Sequence, residues 1–398
     1  MATLNPWHGL RGLPRESWML ALATWVNRAG TMVLPFLVLH LTKNLGFSPA
    51  RAGSVLALYG VVSLCVAPVA GRLGDRIGML RLITFSLFGS ALALCLLPSA
   101  RTYAQVAVRV ALLAIFSEAV RPATLALAGS FAGAELRRQG FALNRMAVNL
   151  GMSIGPALGG FLATVSFEAL FWVDGATSAV AGLLFVILPF RAVHPPEPQQ
   201  VKLPALESSG RGQLLFVLLA LLPVSMVFFQ LEGAYPLFLV RELHFSEATF
   251  GALFTLNTVL ILLFEVGLNV VTQHWRTQRV MALGAVLTGI GFGALIALHS
   301  LGGVIFTVIV WTVGEMLLFP ATAAYVSDLA PRGRQGEYMG YYAMTFGLGL
   351  SLGPWAGTAI LGRWGFSAVW GVCLAIGLLS GGLMLRVNRY PAPDSAGS

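Results

Sequence analysis

Apolar residues gather along the chain in runs of about 20, the length a helix needs to cross the hydrocarbon core of a bilayer. Short polar, glycine-containing or proline-containing stretches separate the runs. The pattern predicts twelve spanning helices, over 17–41, 53–71, 81–99, 104–130, 140–164, 169–190, 213–239, 248–271, 279–298, 302–326, 337–361 and 367–386. The first run follows a polar stretch with Arg11, Arg15 and Glu16 and has no small-residue cleavage site behind it. It reads as a span and not as a removable signal peptide. An even number of spans places both termini on one side.

A second, longer period lies over the first. Pro122-Ala123-Thr124 recurs as Pro320-Ala321-Thr322, and GMSIGPALG (151–159) recurs as GLSLGPWAG (349–357), both at an offset of 198. Arg138-Gln139-Gly140 recurs as Arg334-Gln335-Gly336 at 196. Glu118 and Glu315 each precede their proline by about one helical turn. The longest interior loop, 191–212, is rich in proline and polar residues and reads as a linker. The expected organisation is a six-helix half over 1–190, the linker, and a second six-helix half over 213–398. Same-sense repeats imply two halves related by an axis along the membrane normal, with a binding site near the midplane.

Composition agrees with a membrane protein. The 398 residues are 57% hydrophobic and 10% charged, with a mean hydropathy of +0.80. A soluble chain carries about a quarter charged residues. The net charge of +9 does not point to nucleic acid, because the basic residues are scattered between spans. With cytoplasmic termini, sixteen of the 25 basic residues fall on the cytoplasmic side and five (Lys43, Arg51, Arg101, Arg241, Arg363) on the other. This bias predicts a cytoplasmic-membrane protein with both termini inside. Cys65, Cys95 and Cys373 lie in apolar runs with no disulfide framework or metal spacing. The six histidines are dispersed, and no P-loop or Gly-x-Ser-x-Gly elbow occurs. Neither cofactor nor metal is expected, and no enzyme activity.

Two motifs carry chemistry of position. GRLGDRIGMLR (71–81) lies between the second and third spans. Its glycines permit a tight turn and close helix approach, and Asp75 can accept from helix amides or pair with a basic residue. The loop resembles the signature of the major facilitator superfamily, matching at Gly71, Leu73, Asp75, Arg76 and Gly78 and departing at Met79, where a basic residue is usual. NLGMSIGPALGGFLA (149–163) resembles a motif associated with antiporter branches of that superfamily, through Gly151, Gly155, Pro156, Gly159 and Gly160. Ordinary small-residue packing is the alternative role for this stretch. The resemblance covers essentially the whole chain. It implies an all-α membrane protein with the superfamily fold: twelve transmembrane helices in two pseudo-symmetric six-helix bundles, as a monomer. It also implies that the first motif acts as a conformational latch.

Charges inside the spans are the remaining signal. An ionised side chain at the bilayer centre costs about 2.5–3.5 kcal/mol on insertion scales, so such groups face the bundle interior and serve function by default. Glu315 lies mid-span in TVGEMLLFPAT with no basic residue nearby in sequence, a candidate for proton uptake and release. A carboxylate locked to an arginine from another helix is the alternative. The segment GEMLLFPATAAYVSDLAP resembles a helix-ten segment of proton-coupled multidrug exporters, and FFQLEGAYPLFL, with Gln230, Glu232 and Tyr235, resembles their helix seven. Glu118 and Arg121, three apart, share a helix face; they are either a mutual ion pair or part of the coupling chemistry. Arg28 and Arg145 are candidates to counter a carboxylate or attract an anionic cargo, and Arg109 to snorkel. Asp174 is expected to cap or anchor, and Glu265 to serve structure or function equally. Asn27, Asn149, Asn257, Tyr341, Tyr342 and Phe346 complete the candidate cavity lining.

The sequence therefore predicts a proton-coupled exporter of amphipathic small molecules, with Glu315, Glu232 and Glu118 as coupling acids. The runner-up is a symporter, or a lipid or metabolite transporter, with an anionic cargo. A membrane enzyme or a transport-dead receptor is disfavoured by the missing catalytic groups. Protons, cargo and lipid are the expected partners.

Overall fold

A computed structural model describes residues 12–190, 208–331 and 334–387. Residues 191–207 of the 191–212 linker and the basic residues Arg11, Arg191, Lys202, Arg332 and Arg389 lie outside the described residues. The described residues form helices and no strand. They are α1 (Arg15–Gly30), α2 (Val33–Lys43), α3 (Pro49–Ile77), α4 (Met79–Leu96), α5 (Tyr103–Val165) and α6 (Phe167–Ile187). The second part of the chain contributes α7 (Ser208–Phe228), α8 (Ala234–Leu237), α9 (Glu247–Thr272), α10 (Thr277–Gly293), α11 (Leu301–Leu329) and α12 (Gln335–Leu385). In hydrocarbon every backbone amide must be satisfied internally, so helices are what an apolar run of this length becomes.

Eleven helical stretches among the described residues are long and apolar enough to span a bilayer. The last, Glu337–Leu385, runs 49 residues and is interrupted at Gly365, whose φ of +79 leaves the helical region, so it holds two of the expected spans. The fourth and fifth predicted spans are joined in α5, which turns back on itself. A Cβ at Gly140 would sit 2.5 Å from the carbonyl oxygen of Ala128. In a straight helix twelve residues would separate the two by about 18 Å. The first predicted span is split at Thr31 and Met32, where helical geometry lapses between α1 and α2. The seventh is broken too: α7 gives way to a 3-10 turn over Phe229–Glu232 and then to α8.

By contact the chain forms two compact units. One comprises 1–47, 58–198 and 239–258; the other comprises 48–57, 199–238 and 259–398. Each unit thus includes a short segment from the other half of the sequence.

Glycines of the duplicated motif explain that exchange. In the first unit Gly155 approaches the Arg28 carbonyl, its Cβ position being 3.3 Å away, and Gly159 approaches the Met32 Cβ at 2.8 Å. In the second unit Gly353 meets the Met226 carbonyl at 2.6 Å, and Gly357 lies against the Gln230 side chain. Both members of each pair are shifted by the same 198 residues. The borrowed segments obey the same shift: Gly251 of α9 lies against the Pro156 carbonyl, and Gly53 of α3 lies 3.1 Å from the Pro354 carbonyl. Small residues let helix backbones approach closely where lipid supplies no hydrophobic drive. Side chains such as Phe85, Phe161 and Val266 remain largely exposed, as a bilayer-facing surface requires.

The 71–81 loop turns on two glycines. Gly78 alone links α3 to α4, and its φ of +94 suits glycine. Met79 folds over Gly74, where a Cβ would collide with its sulfur, and packs on the core beneath. This accounts for an apolar residue where a basic one is usual. Leu73, Asp75 and Arg76 are exposed, and nothing among the described residues crowds Gly71.

Candidate functional site

Within the first unit, α1, α4, α5 and α6 enclose an open cavity of about 540 Å³. Its polar wall follows from helix periodicity, which stacks residues three or four apart on one face. Thr24, Asn27 and Arg28 come from α1. The outgoing limb of α5 contributes Glu118, Arg121 and Thr124, and the returning limb contributes Phe141, Asn144, Arg145, Val148 and Met152.

Hydrogen bonds order part of this wall. The Tyr59 hydroxyl of α3 donates to Glu118 Oε1 at 2.8 Å. The Thr24 hydroxyl donates to Asn144 Oδ1 at 3.2 Å, and Asn27 Nδ2 donates to Ser178 Oγ at 3.3 Å. Arg28 is within electrostatic reach of Glu118, Arg121, Tyr59 and Asp174. Arg121 and Arg145 are exposed, whereas Arg28 and Glu118 are half-buried.

Behind α1 stands a buried acid with a structural task. Asp174 Oδ2 accepts from the amides of Met32 and Val33 at 3.2 Å each. It caps α2 where the first span breaks, satisfying amide donors that the start of α2 leaves without helical partners. Arg109 serves a comparable purpose, donating to the Leu96 carbonyl at 2.6 Å and to Ser99 Oγ at 2.8 Å.

Of the candidates named from sequence, Asn27, Arg28, Glu118, Arg121 and Arg145 meet in this cavity. Sequence reading missed Thr24, Phe141, Asn144 and Tyr59. Helical spacing from Arg28 and Arg145 could have found Thr24 and Phe141, four residues before each; it does not reach Asn144, and nothing local marks Tyr59. Asn149 is half-buried on α5, Asn257 is buried on α9, and neither lines the cavity.

The second unit distributes its candidates differently. Gln230 is buried and donates through Nε2 to the carbonyls of Met226 (3.2 Å) and Gly353 (2.7 Å), tying the broken span to α12. Tyr235 is buried between Phe292 and Trp370. Tyr342 and Phe346 join Phe228, Phe229 and Phe319 in an aromatic cluster, and the Tyr342 hydroxyl donates to the Phe319 carbonyl at 3.0 Å. Tyr341 turns instead to Glu337 (3.2 Å), which chelates Arg334 at 2.7 and 2.9 Å. That partnership raises the Arg334 pKa, chiefly through the hydrogen bond. Glu232 and Glu315 are half-buried, and each is engaged by its surroundings.

The sequence matches the family model of the Major Facilitator Superfamily over residues 20–240 and 217–398. The chain belongs to the major facilitator superfamily. It is 26% identical over 352 residues to the uncharacterized MFS-type transporter YqjV of Bacillus subtilis (strain 168), covering 86% of this chain and 85% of that protein. It is 23% identical to Multidrug resistance protein 1 of the same organism, covering 78% and 81%. The crystal structure of the nucleoside transporter NupG (D323A mutant) superposes with a TM-score of 0.78 at 14% identity, covering 94% of this chain and 100% of that one. The fold is therefore that of this superfamily, and the relatives are transporters, not enzymes. A multi-pass membrane transporter of this kind handles small molecules within a lipid bilayer.

Proposed function

We propose that this superfamily member is a proton-coupled secondary active transporter that exports amphipathic small molecules across the cytoplasmic membrane, as a monomer with both termini inside. The observation that carries the reading is the first unit's cavity, where four ionisable side chains and two amides, Asn27 and Asn144, line a drug-sized space inside otherwise apolar spans. The resemblance to proteins named for multidrug resistance supports export. A proton entering down an inside-negative potential of 100 mV supplies about 2.3 kcal/mol. Glu315 is the leading coupling acid, with Glu232 and Glu118 as further candidates. Rocking of two six-helix halves, 1–190 and 213–398, would alternate access.

Everted vesicles test the reading. Under an inward-acid gradient they should accumulate an amphipathic fluorescent dye. Glu315→Gln should abolish gradient-driven accumulation while leaving expression and dye exchange intact. Unchanged proton coupling in that variant refutes the assignment of Glu315. Three arginines in the cavity favour a second reading, proton-coupled symport of an anion. Gradient-driven uptake of an anionic metabolite into right-side-out vesicles, with no dye export, would establish it.

A further inference from the structure

The first unit's cavity is cationic inside spans that the bilayer requires to be apolar. Arg28, Arg121 and Arg145 line it against a single acid, Glu118. Arg145 has a further interaction of its own, and with its charge set aside the arginines still outnumber the acid two to one. Glu118 is held by the Tyr59 hydroxyl. Asp174 reaches Arg28 electrostatically, but it is not among the lining residues and its Oδ2 already accepts two backbone amides.

Arg28 and Arg121 are also within electrostatic reach of each other. Like charges brought together in a low-dielectric wall repel, and an anion between them relieves the repulsion. Each guanidinium presents a planar fork of donors that fits a carboxylate or phosphate and accepts nothing in return. We propose that this cavity binds the anionic headgroup of an amphipathic cargo, a carboxylate or a phosphate ester, with the apolar portion against Phe141 and Met152. The inference rests on the transport reading above and names the cargo's class. A lipophilic cation would meet repulsion in the same space.

Binding of 11-(dansylamino)undecanoic acid and of its methyl ester isolates the charge, since the two probes share an apolar body. The purified full chain is placed in phosphatidylcholine nanodiscs and dansyl fluorescence is titrated. The acid should bind about tenfold or more tightly than the ester. Arg121→Gln, an exposed change that leaves packing alone, should erase most of that preference by weakening the acid only. Glu118→Gln, which removes the one opposing charge, should tighten the acid. Adding phosphatidylglycerol distinguishes the source of the anion: competition assigns the site to a lipid headgroup, and its absence to a freely diffusing cargo. Loss of acid preference alongside intact dye export sinks this inference alone, whereas acid-selective binding in a protein that moves nothing under a gradient sinks the transport reading alone. Equal affinity of the wild-type protein for acid and ester overturns the proposal.

Discussion

Replacing Gly160 with alanine would place a methyl group against three backbone groups of α9. The new Cβ would lie 2.6 Å from the Glu247 carbonyl oxygen, 3.0 Å from the Ala248 Cα and 3.1 Å from the Gly251 Cα. None of these can swing aside as a side-chain tip could, so the two segments must part by about 1 Å to restore ordinary contact. Overpacking of this kind costs about 1–3 kcal/mol, against a gain of up to about 1 kcal/mol from the better helix propensity of alanine. The net effect is destabilising, a lowering of roughly 1–3 °C in the unfolding midpoint. Gly251→Ala, which collides with the Pro156 carbonyl across the same contact, should behave alike. One separation relieves both clashes, so the double variant should lose less than the sum, a coupling of about 0.5–3 kcal/mol. Gly267→Ala on the same helix meets nothing within 4 Å and should be neutral or slightly stabilising. Intrinsic tryptophan fluorescence during heating in neutral detergent reads all four variants. A Gly160→Ala midpoint equal to the wild type, or a Gly267→Ala loss equal to it, would refute the close-packing argument.

Three further outcomes follow from single contacts. Asp174→Ala removes the acceptor of the Met32 and Val33 amides and should cost about 1–3 kcal/mol, with Asp174→Asn losing less; thermal unfolding of both variants checks the order. Lys43→Met leaves the buried Glu247 without the partner it meets at 2.5 Å; because Lys43 is about half exposed the loss should be near 1 kcal/mol, and Lys43→Met with Glu247→Gln should recover most of it. Gly78→Ala forces a side chain into φ +94 and should cost about 1–2 kcal/mol, measurable as a lowered unfolding midpoint, whereas Gly71→Ala, in open space, should not.

The spans and the repeat were legible because each leaves a local trace. A bilayer admits only chains whose polar backbone is satisfied internally, so apolar runs of about 20 residues announce helices. Breaks within spans were harder to see. Pro35 lies just past the Thr31–Met32 interruption and lacks the amide that a continuous helix would bond to the Thr31 carbonyl, yet Pro122, Pro156 and Pro320 lie within helices that continue. What separates the cases is Asp174, 142 residues from Met32, whose carboxylate supplies the missing acceptor.

The candidate site was legible to a similar degree. Arg28, Glu118, Arg121 and Arg145 stood out because a charge in an apolar run is costly wherever it points. That cost says nothing of which charges face one another. Gln230 and Tyr235 looked like cavity residues, since polar groups in a span invite that reading, and both are buried in the packing of the second unit. Tyr341 and Tyr342 are adjacent in sequence, yet a helix turns consecutive residues about 100° apart; one bonds to Glu337 and the other to the Phe319 carbonyl.

The amino-acid sequence by itself determined the class of solvent, the number of crossings, the family and the set of charged side chains that are costly to place in hydrocarbon. The transfer energies of residues and the helical period are local, and both can be read without a partner. Tertiary structure alone decided that the two limbs of α5 bring Asn144 and Arg145 beside Glu118 and Arg121. It also seated 48–57 against Pro354 and Thr358, and 239–258 against Pro156 and Gly160. Those outcomes depend on the close approach of backbones far apart in sequence, and no periodicity records which glycine will meet which carbonyl.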